Sequence, residues 1–200
     1  MGRGGFTSSD WSEYKTAKKV DYATKVDDIY RSGASDVNTD WLPYNVVRES
    51  CDSEEHPNST PIIIGLDTTG SMNSLVTRAA KGVGDTMIQI IERECVPHPQ
   101  ILFSAIDYIT SGNKCIQVTQ FESDIRIAKQ MYDLSFIGRG GGNDWESYAD
   151  LWYFAANHTK CDAIAKGRKG VIITVGDDGL QPEISRSEIS TVFGDKISEP

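Results

Sequence analysis

The sequence predicts an α/β protein with a doubly wound, mostly parallel sheet and one antiparallel edge strand. Two apolar runs, residues 61–66 and 171–175, have the length and the β-branched content of buried strands. Between them, segments with apolar residues at helical spacing alternate with further strand-like runs. This alternation is typical of sheets with helices on their faces, in which ligands bind at the carboxyl ends of the strands.

The elements after the first strand can be placed by their apolar spacing and by the residues that end them. Pro97 and Pro99 end a helix, the Ser111-Gly112-Asn113 segment favours a hairpin, and Gly194 ends the last helix. The predicted elements are a helix from Asn73 to Glu94, strands from Gln100 to Ile109 and from Cys115 to Phe121, a helix from Ser123 to Phe136, a long helix from Trp145 or Glu146 to about Lys166, a buried parallel strand from Val171 to Val175 and a helix from Ser187 to Phe193.

Residues 1–60 are predicted to form a polar N-terminal arm, and residues 61–200 the α/β domain. Short helices are expected from near Asp10 to Lys19, with Asp10 and Glu13 in a capping box, and from Lys25 to Arg31. Residues 32–57 have the composition of a loop. The arm is rich in aromatic residues, so we expect parts of it to lie against the domain or a partner. These residues are Trp11, Tyr14, Tyr30, Trp41 and Tyr44.

Composition and charge exclude several classes of partner. The net charge of −9 over 200 residues offers no basic face for nucleic acid. No apolar run approaches membrane-spanning length, and the first residues lack the apolar core of a signal peptide, so we expect a cytoplasmic protein. The four cysteines are widely separated, which favours reduced thiols over a zinc site or a disulfide framework.

Three oxygen-bearing side chains, Asp67, Thr69 and Ser71, follow the first strand at a spacing of two residues. A chain leaving a strand can direct such side chains at one point beyond the strand end. Carboxylate and hydroxyl oxygens suit the hard cations Mg²⁺, Mn²⁺ and Ca²⁺ rather than a soft metal. The alternative is structural, because a serine or threonine also caps a helix and a glycine such as Gly70 also forms a turn.

The segment Asp67-Thr68-Thr69-Gly70-Ser71-Met72 resembles the first element of the metal-ion-dependent adhesion site of von Willebrand factor type A domains. That family carries two further elements, a loop that opens a helix and an aspartate that ends a later parallel strand. Residues 140–147 match the loop, and Asp177 matches the aspartate. The three elements occur in the family's order at strand and helix boundaries, and the resemblance covers residues 61 to about 194.

The loop departs from the family's pattern, because Asn143 stands at the position of the usual threonine. An amide oxygen can replace a hydroxyl as ligand, and Asp144 or Glu146 could take that role instead. The resemblance implies a divalent cation, Mg²⁺ or else Mn²⁺ or Ca²⁺, bound by five residues. They are Asp67, Thr69, Ser71, Asn143 and Asp177.

The resemblance further implies a protein-interaction module rather than an enzyme, in which the cation binds an Asp or Glu of a partner protein. A competing hypothesis is a metal-dependent hydrolase of phosphoesters, with Asp178, Asp144 or Glu146 as its general base. A phosphate-binding loop at Gly65 to Ser71 is disfavoured, since Ser71 stands where such a loop needs its lysine.

The family usually continues with two further parallel strands, but no second apolar strand follows Asp177. With the usual strand order, Val171 to Val175 would form a sheet edge open to pairing. We expect the sheet to be completed from outside residues 61–200: by the N-terminal arm, a second copy, another protein or a region missing from a truncated chain. The alternative is that residues after Ile184 fold back and cover the edge.

Overall fold

The computed structural model describes residues 7–19, 24, 30–32, 37–70, 73–136 and 145–197. These residues form six α-helices and several β-sheets, whose strands are mostly parallel with one antiparallel pair. The helices are α1 (Ser8–Lys18), α2 (Asn73–Glu92), α3 (Arg126–Met131), α4 (Tyr148–Asn157), α5 (Asp162–Ala165) and α6 (Arg186–Phe193). The strands are β1 (Arg31–Ser32), β2 (Arg48–Ser50), β3 (Thr60–Asp67), β4 (Pro99–Ile106), β5 (Ile116–Val118), β6 (Ser135–Phe136), β7 (Trp145–Glu146), β8 (Thr159–Cys161), β9 (Val171–Val175) and β10 (Gly179–Leu180).

The largest sheet has the strand order β5-β4-β3-β9. Strands β3, β4 and β9 run parallel, and β5 pairs antiparallel with β4 at one edge, as the sequence predicts. The prediction that the first strand and residues 171–175 are neighbours is also confirmed, with Ile64 opposite Ile173. The carboxyl ends of β3, β4 and β9 therefore lie side by side.

Strand β3 separates two hydrophobic cores, and all eight of its residues are buried. Ile62, Ile64 and Leu66 pack with Met87 and Ile88 of α2 on one face. On the other face, Ile63 belongs to a core that includes residues of α4 and α6. A side chain at Gly65 would overlap Leu151 of α4, so a glycine at this position allows α4 to approach the sheet closely. Burial on both faces explains the uninterrupted apolar run.

Parts of the N-terminal segment lie against the rest of the chain, as expected, with Trp11 and Tyr30 buried, whereas Tyr44 is 50% exposed. The Trp11 ring stacks near Tyr132, with ring centroids 6.0 Å apart, and its Nε1 donates to Asp85 Oδ1 at 2.7 Å. The capping box of α1 is formed by Thr7 and Asp10, so the prediction that Asp10 and Glu13 form it is wrong. The domain boundary near residue 60 stays a prediction.

The long helix predicted from residue 145 to Lys166 is wrong, because tertiary pairing interrupts it. Helix α4 ends at Asn157, and β8 follows and pairs with β2, which lies in the segment expected to be a loop. His158 ends the helix, with Nδ1 3.0 Å from the Val46 carbonyl oxygen and Nε2 2.8 Å from Asp195 Oδ2. The spacing of apolar residues along the segment does not predict these contacts with residues far away in the sequence.

Other predicted elements are shorter than expected. The helix predicted from Ser123 to Phe136 is shortened to α3. The Gln117 side chain hydrogen-bonds to both the backbone nitrogen and the carbonyl oxygen of Ser135, which lies in β6 instead of the helix. The predicted hairpin around Gly112 is confirmed, since β4 and β5 pair antiparallel, and two short 3₁₀ turns that meet at Gly112, with φ 62°, connect them over Ile109–Lys114. Most of the helix expected from Lys25 to Arg31 lies outside the described residues, and Arg31 begins β1.

Strand β9 lies at the edge of the sheet, as expected, but the prediction that it is buried is wrong. Four of its five side chains are 37–41% exposed. Helix α6 packs in the core that contains Phe154 and Ile116 and leaves β9 exposed. The arm strands β1 and β2 pair with β6 and β8 instead of β9. Within the described residues, no helix is long and apolar enough to cross a membrane.

Candidate functional site

Asp67 is the last residue of β3 and is fully buried. Its Oδ1 accepts hydrogen bonds from the backbone nitrogen of Thr69 at 2.9 Å and from Thr69 Oγ1 at 2.6 Å. Between them, the Thr68 backbone nitrogen donates to the Ile106 carbonyl oxygen at 2.8 Å, which ties this turn to β4. The spacing of two residues therefore brings Asp67 and Thr69 into contact.

The second oxygen of Asp67 accepts a hydrogen bond from the hydroxyl of Tyr148, the first residue of α4. Burial, with the adjacent Asp67 carboxylate, raises the pKa of Tyr148 above its usual range, so the hydroxyl keeps its proton. The backbone of Asp178 also hydrogen-bonds to this hydroxyl. Tyr148 thus joins the end of β3 to the turn after β9, and its role was not predicted from the sequence.

Gly176, directly after β9, fits this arrangement because it has no side chain. A Cβ at this position would overlap the Tyr148 hydroxyl and lie 2.9 Å from Asp67 Oδ2. The backbone after β9 therefore passes close to the buried carboxylate. The glycine just before two aspartates was the available sequence signal for this close approach.

Glu146 brings a further carboxylate to the same place. It is buried in β7, which pairs with β10, so the chain after residue 144 lies beside the chain after β9. Burial raises the pKa of Glu146 to about 8, with further increases from the charges of Asp67, Asp178 and Asp107 and from a hydrogen bond with Asp178. Among the described residues, no hydrogen-bond partner reaches its Oε2 atom.

We refer to Asp67, Asp107, Glu146 and Asp178 as the acidic cluster. Asp107 is buried at the end of β4, and its Oδ1 accepts a hydrogen bond from the Tyr108 backbone nitrogen at 2.6 Å. Burial and the charges of the other three carboxylates disfavour the ionised form of Glu146 unless positive charge compensates it. Protonation, as the raised pKa of Glu146 indicates, is one solution, and a bound divalent cation is another.

The five predicted ligands are only partly within the described residues. Asp67 and Thr69 are in contact, Asp177 follows β9 with an exposed side chain, and Ser71 and Asn143 lie outside the described residues. The neighbouring Asp178 is half-buried and contacts Glu146. No group of three or more His, Cys, Asp or Glu residues in the described ranges has the geometry to hold a metal ion. The predicted ligand set stays a prediction.

The chemistry of the donors nevertheless fits a hard cation. The described groups at this end of the sheet include carboxylates and a threonine hydroxyl, the oxygen ligands that Mg²⁺ and Ca²⁺ accept. Glu146 Oε2 is a buried acceptor without a hydrogen-bond donor among the described residues. The adjacent Trp145 is 49% exposed.

A second buried polar group lies behind the sheet, between α4 and α6. Asp150 is fully buried, and burial together with the neighbouring Glu188 raises its pKa. Glu188 has a structural role: its Oε2 accepts from the Ser185 backbone nitrogen in the capping box of α6, and its Oε1 accepts from Gln181 Nε2. This group lies at the helix interface rather than at the strand ends.

Comparisons of the chain with protein-family models, with curated proteins and with solved structures each found no match. The interpretation of the acidic cluster therefore depends on the chain's own residues.

Proposed function

We propose that this chain is a von Willebrand factor type A-like, doubly wound domain that binds a divalent cation and, through it, an acidic residue of a partner protein. The cation is Mg²⁺, with Mn²⁺ and Ca²⁺ as alternatives. The proposed ligands are Asp67, Thr69, Ser71, Asn143 and Asp177. The observation that carries the proposal is the position of the acidic cluster at the carboxyl ends of three parallel strands, where such sheets bind ligands.

The described contacts support a fixed role for Asp67. Its carboxylate is oriented by Thr69 and Tyr148, and the lack of a side chain at Gly176 leaves room for this arrangement. A ligand held in one rotamer loses little conformational entropy when a cation binds. Glu146, buried and hydrogen-bonded to Asp178, is the described carboxylate that best replaces the threonine missing from the loop.

The charge of the site explains why partner binding would depend on the metal. Without a cation, the acidic cluster repels an Asp or Glu of a partner. A bound divalent cation reverses the local field and offers a coordination position to the incoming carboxylate. The chain's own residues orient and charge the site, and the cation supplies the link to the partner.

One observation favours a second candidate, a metal-dependent phosphoester hydrolase. The pKa of Glu146, raised to about 8, is close to the value of an efficient general base at neutral pH. In this case the cation would activate water, and Glu146 would accept its proton.

The two candidates are separated by testing partner capture and phosphoester turnover in parallel. The full chain is used as bait for partner proteins from its source cell, with and without EDTA, and is assayed in parallel for cleavage of a phosphoester. The adaptor proposal expects capture that is lost with EDTA and in Asp177→Ala, no turnover, and unchanged capture by the exposed control Glu183→Ala. Metal-dependent hydrolysis that disappears in both Asp67→Ala and Glu146→Gln would overturn it in favour of the enzyme.

A further inference from the structure

Strand β9 has the features of an edge that pairs with another strand. The strand order of the largest sheet ends at β9 within the described residues. Its sequence, Val-Ile-Ile-Thr-Val, contains no charge and no proline, and four of its five side chains are 37–41% exposed. Protected edges normally carry a charged residue, a proline or a bulge to prevent pairing. Here the charges lie outside the strand at both ends.

The flanking charges are arranged symmetrically about Ile173. Arg168 and Lys169 precede the strand, and Asp177 and Asp178 follow it. If two copies of β9 pair antiparallel with Ile173 opposite itself, Lys169 of each copy lies opposite Asp177 of the other. Arg168 and Asp178 do not contribute to this pairing, because Arg168 Nη2 lies 2.6 Å from Asp52 Oδ2 and Asp178 contacts Glu146. Parallel pairing would instead place like charges together, which is unfavourable.

The surface beside the strand is also apolar. A cavity of about 150 Å³ between β9 and α5 is lined in part by Val171, Ile172 and Ile164. Ile164 is 55% exposed. Side chains from a second β9 would pack against this apolar surface and remove it from water, as cross-strand neighbours do within a sheet.

We propose that two copies of this chain associate through antiparallel pairing of β9, with Ile173 on the two-fold axis. The two four-stranded sheets then form one continuous sheet of eight strands. A second copy is the occupant that fits best, because the charges flanking the strand complement themselves under a two-fold rotation. This inference depends on β9 and its flanks and does not require a metal.

The first test measures the oligomeric state of the full chain by sedimentation velocity over a concentration series in EDTA. A dimer of twice the 22.0 kDa monomer mass is expected. Lys169→Glu should weaken it by at least about tenfold, because it places like charges opposite each other. The exchange Lys169→Glu with Asp177→Lys should restore it, and Ile173→Lys should abolish it. Circular dichroism checks that each variant is folded.

The second test uses disulfide cross-linking to fix the register. In a Cys95→Ser background, which removes the exposed native thiol, Ile173→Cys should give a covalent dimer on oxidation. The matched control Val171→Cys should not form a covalent dimer. In this register the two copies of residue 171 are offset by four residues, which is about 13 Å along the strand. A disulfide needs Cα atoms within about 7 Å.

Three results would overturn the proposal. The first is a wild-type chain that stays monomeric up to its solubility limit, which would leave β9 open to a different protein. The second is failure of the charge exchange to restore a dimer that Lys169→Glu had weakened. The third is cross-linking by Val171→Cys but not by Ile173→Cys.

Discussion

Strands β3 and β9 are neighbours with similar composition but opposite environments. Ile64 of β3 is 5% exposed, whereas Ile173, directly opposite it in β9, is 41% exposed. Strand β3 ends in a buried carboxylate held by hydrogen bonds, whereas the exposed Asp177 lies two residues after the end of β9. The difference shows that an apolar run predicts a strand, whereas burial is decided by the position of that strand in the sheet.

The largest expected effect comes from truncating the two paired isoleucines. Ile64→Ala should lower the free energy of unfolding by about 2–5 kcal/mol, because it leaves a cavity in a packed core. Ile173→Ala should cost about 1 kcal/mol or less in the monomer, since much of its side chain already contacts water. Urea unfolding at low protein concentration measures both values. Equal losses would contradict the difference in environment.

A smaller effect is expected where the end of β9 approaches Asp67. Gly176→Ala should destabilise the protein by about 1–3 kcal/mol, because the new Cβ overlaps the Tyr148 hydroxyl. It should also weaken cation binding by displacing Tyr148 from Asp67. The matched control is Gly82→Ala in α2, where a Cβ meets nothing within 4 Å and should stabilise the helix by about 0.5–1 kcal/mol. Thermal unfolding of both variants distinguishes a local clash from a general effect of replacing glycine.

The smallest expected effect concerns Asp150, the acid buried behind β3. Because its folded-state pKa is raised, protonated Asp150 favours the fold. This contribution is fully present below the unfolded pKa of about 4 and is lost as pH rises through the raised folded value. Asp150→Asn should therefore stabilise the protein by about 1–2 kcal/mol at alkaline pH and progressively less as pH falls.

Urea unfolding of wild type and Asp150→Asn at several pH values between 5 and about 9 measures this slope. The exposed Glu183→Gln serves as the control and should show no such trend. If the difference in the free energy of unfolding between wild type and Asp150→Asn were constant with pH, Asp150 would not titrate as its burial indicates.

The sequence predicts the parts of this molecule that depend on local pattern. The apolar run of β3, the helical spacing of α2 and Gly194 at the end of α6 each place an element close to where the structure has it. The long helix over residues 145–166 fails because β8 pairs with β2, more than a hundred positions away. Local periodicity contains no information on such pairing.

The candidate site likewise contains some contacts that the sequence predicts and others that it does not. Asp67 and Thr69 lie two residues apart, and their contact follows from the turn after β3. Tyr148 and Asp107 come from other elements, carry no motif, and reach the site only through the packing of α4 and the pairing of β4. Glu146 and Asp178 were predicted only as alternatives, and their burial and mutual hydrogen bond depend on the pairing of β7 with β10.

Calorimetric titration of Mg²⁺ into the full chain measures whether the carboxyl ends of the strands bind a cation. Binding at one site is expected, weakened at least about 100-fold in Asp67→Ala, because a lost ligand should cost more than the 10–100-fold typical of outer-shell partners. Asp67→Asn keeps an oxygen that can accept the hydrogen bond from Thr69 but lacks the negative charge, and its Mg²⁺ affinity should also fall. This variant therefore distinguishes loss of the charge from loss of the fold. Glu183→Ala should bind as wild type. Equal Mg²⁺ affinity in wild type and both Asp67 variants would show that Asp67 is not a ligand of the cation.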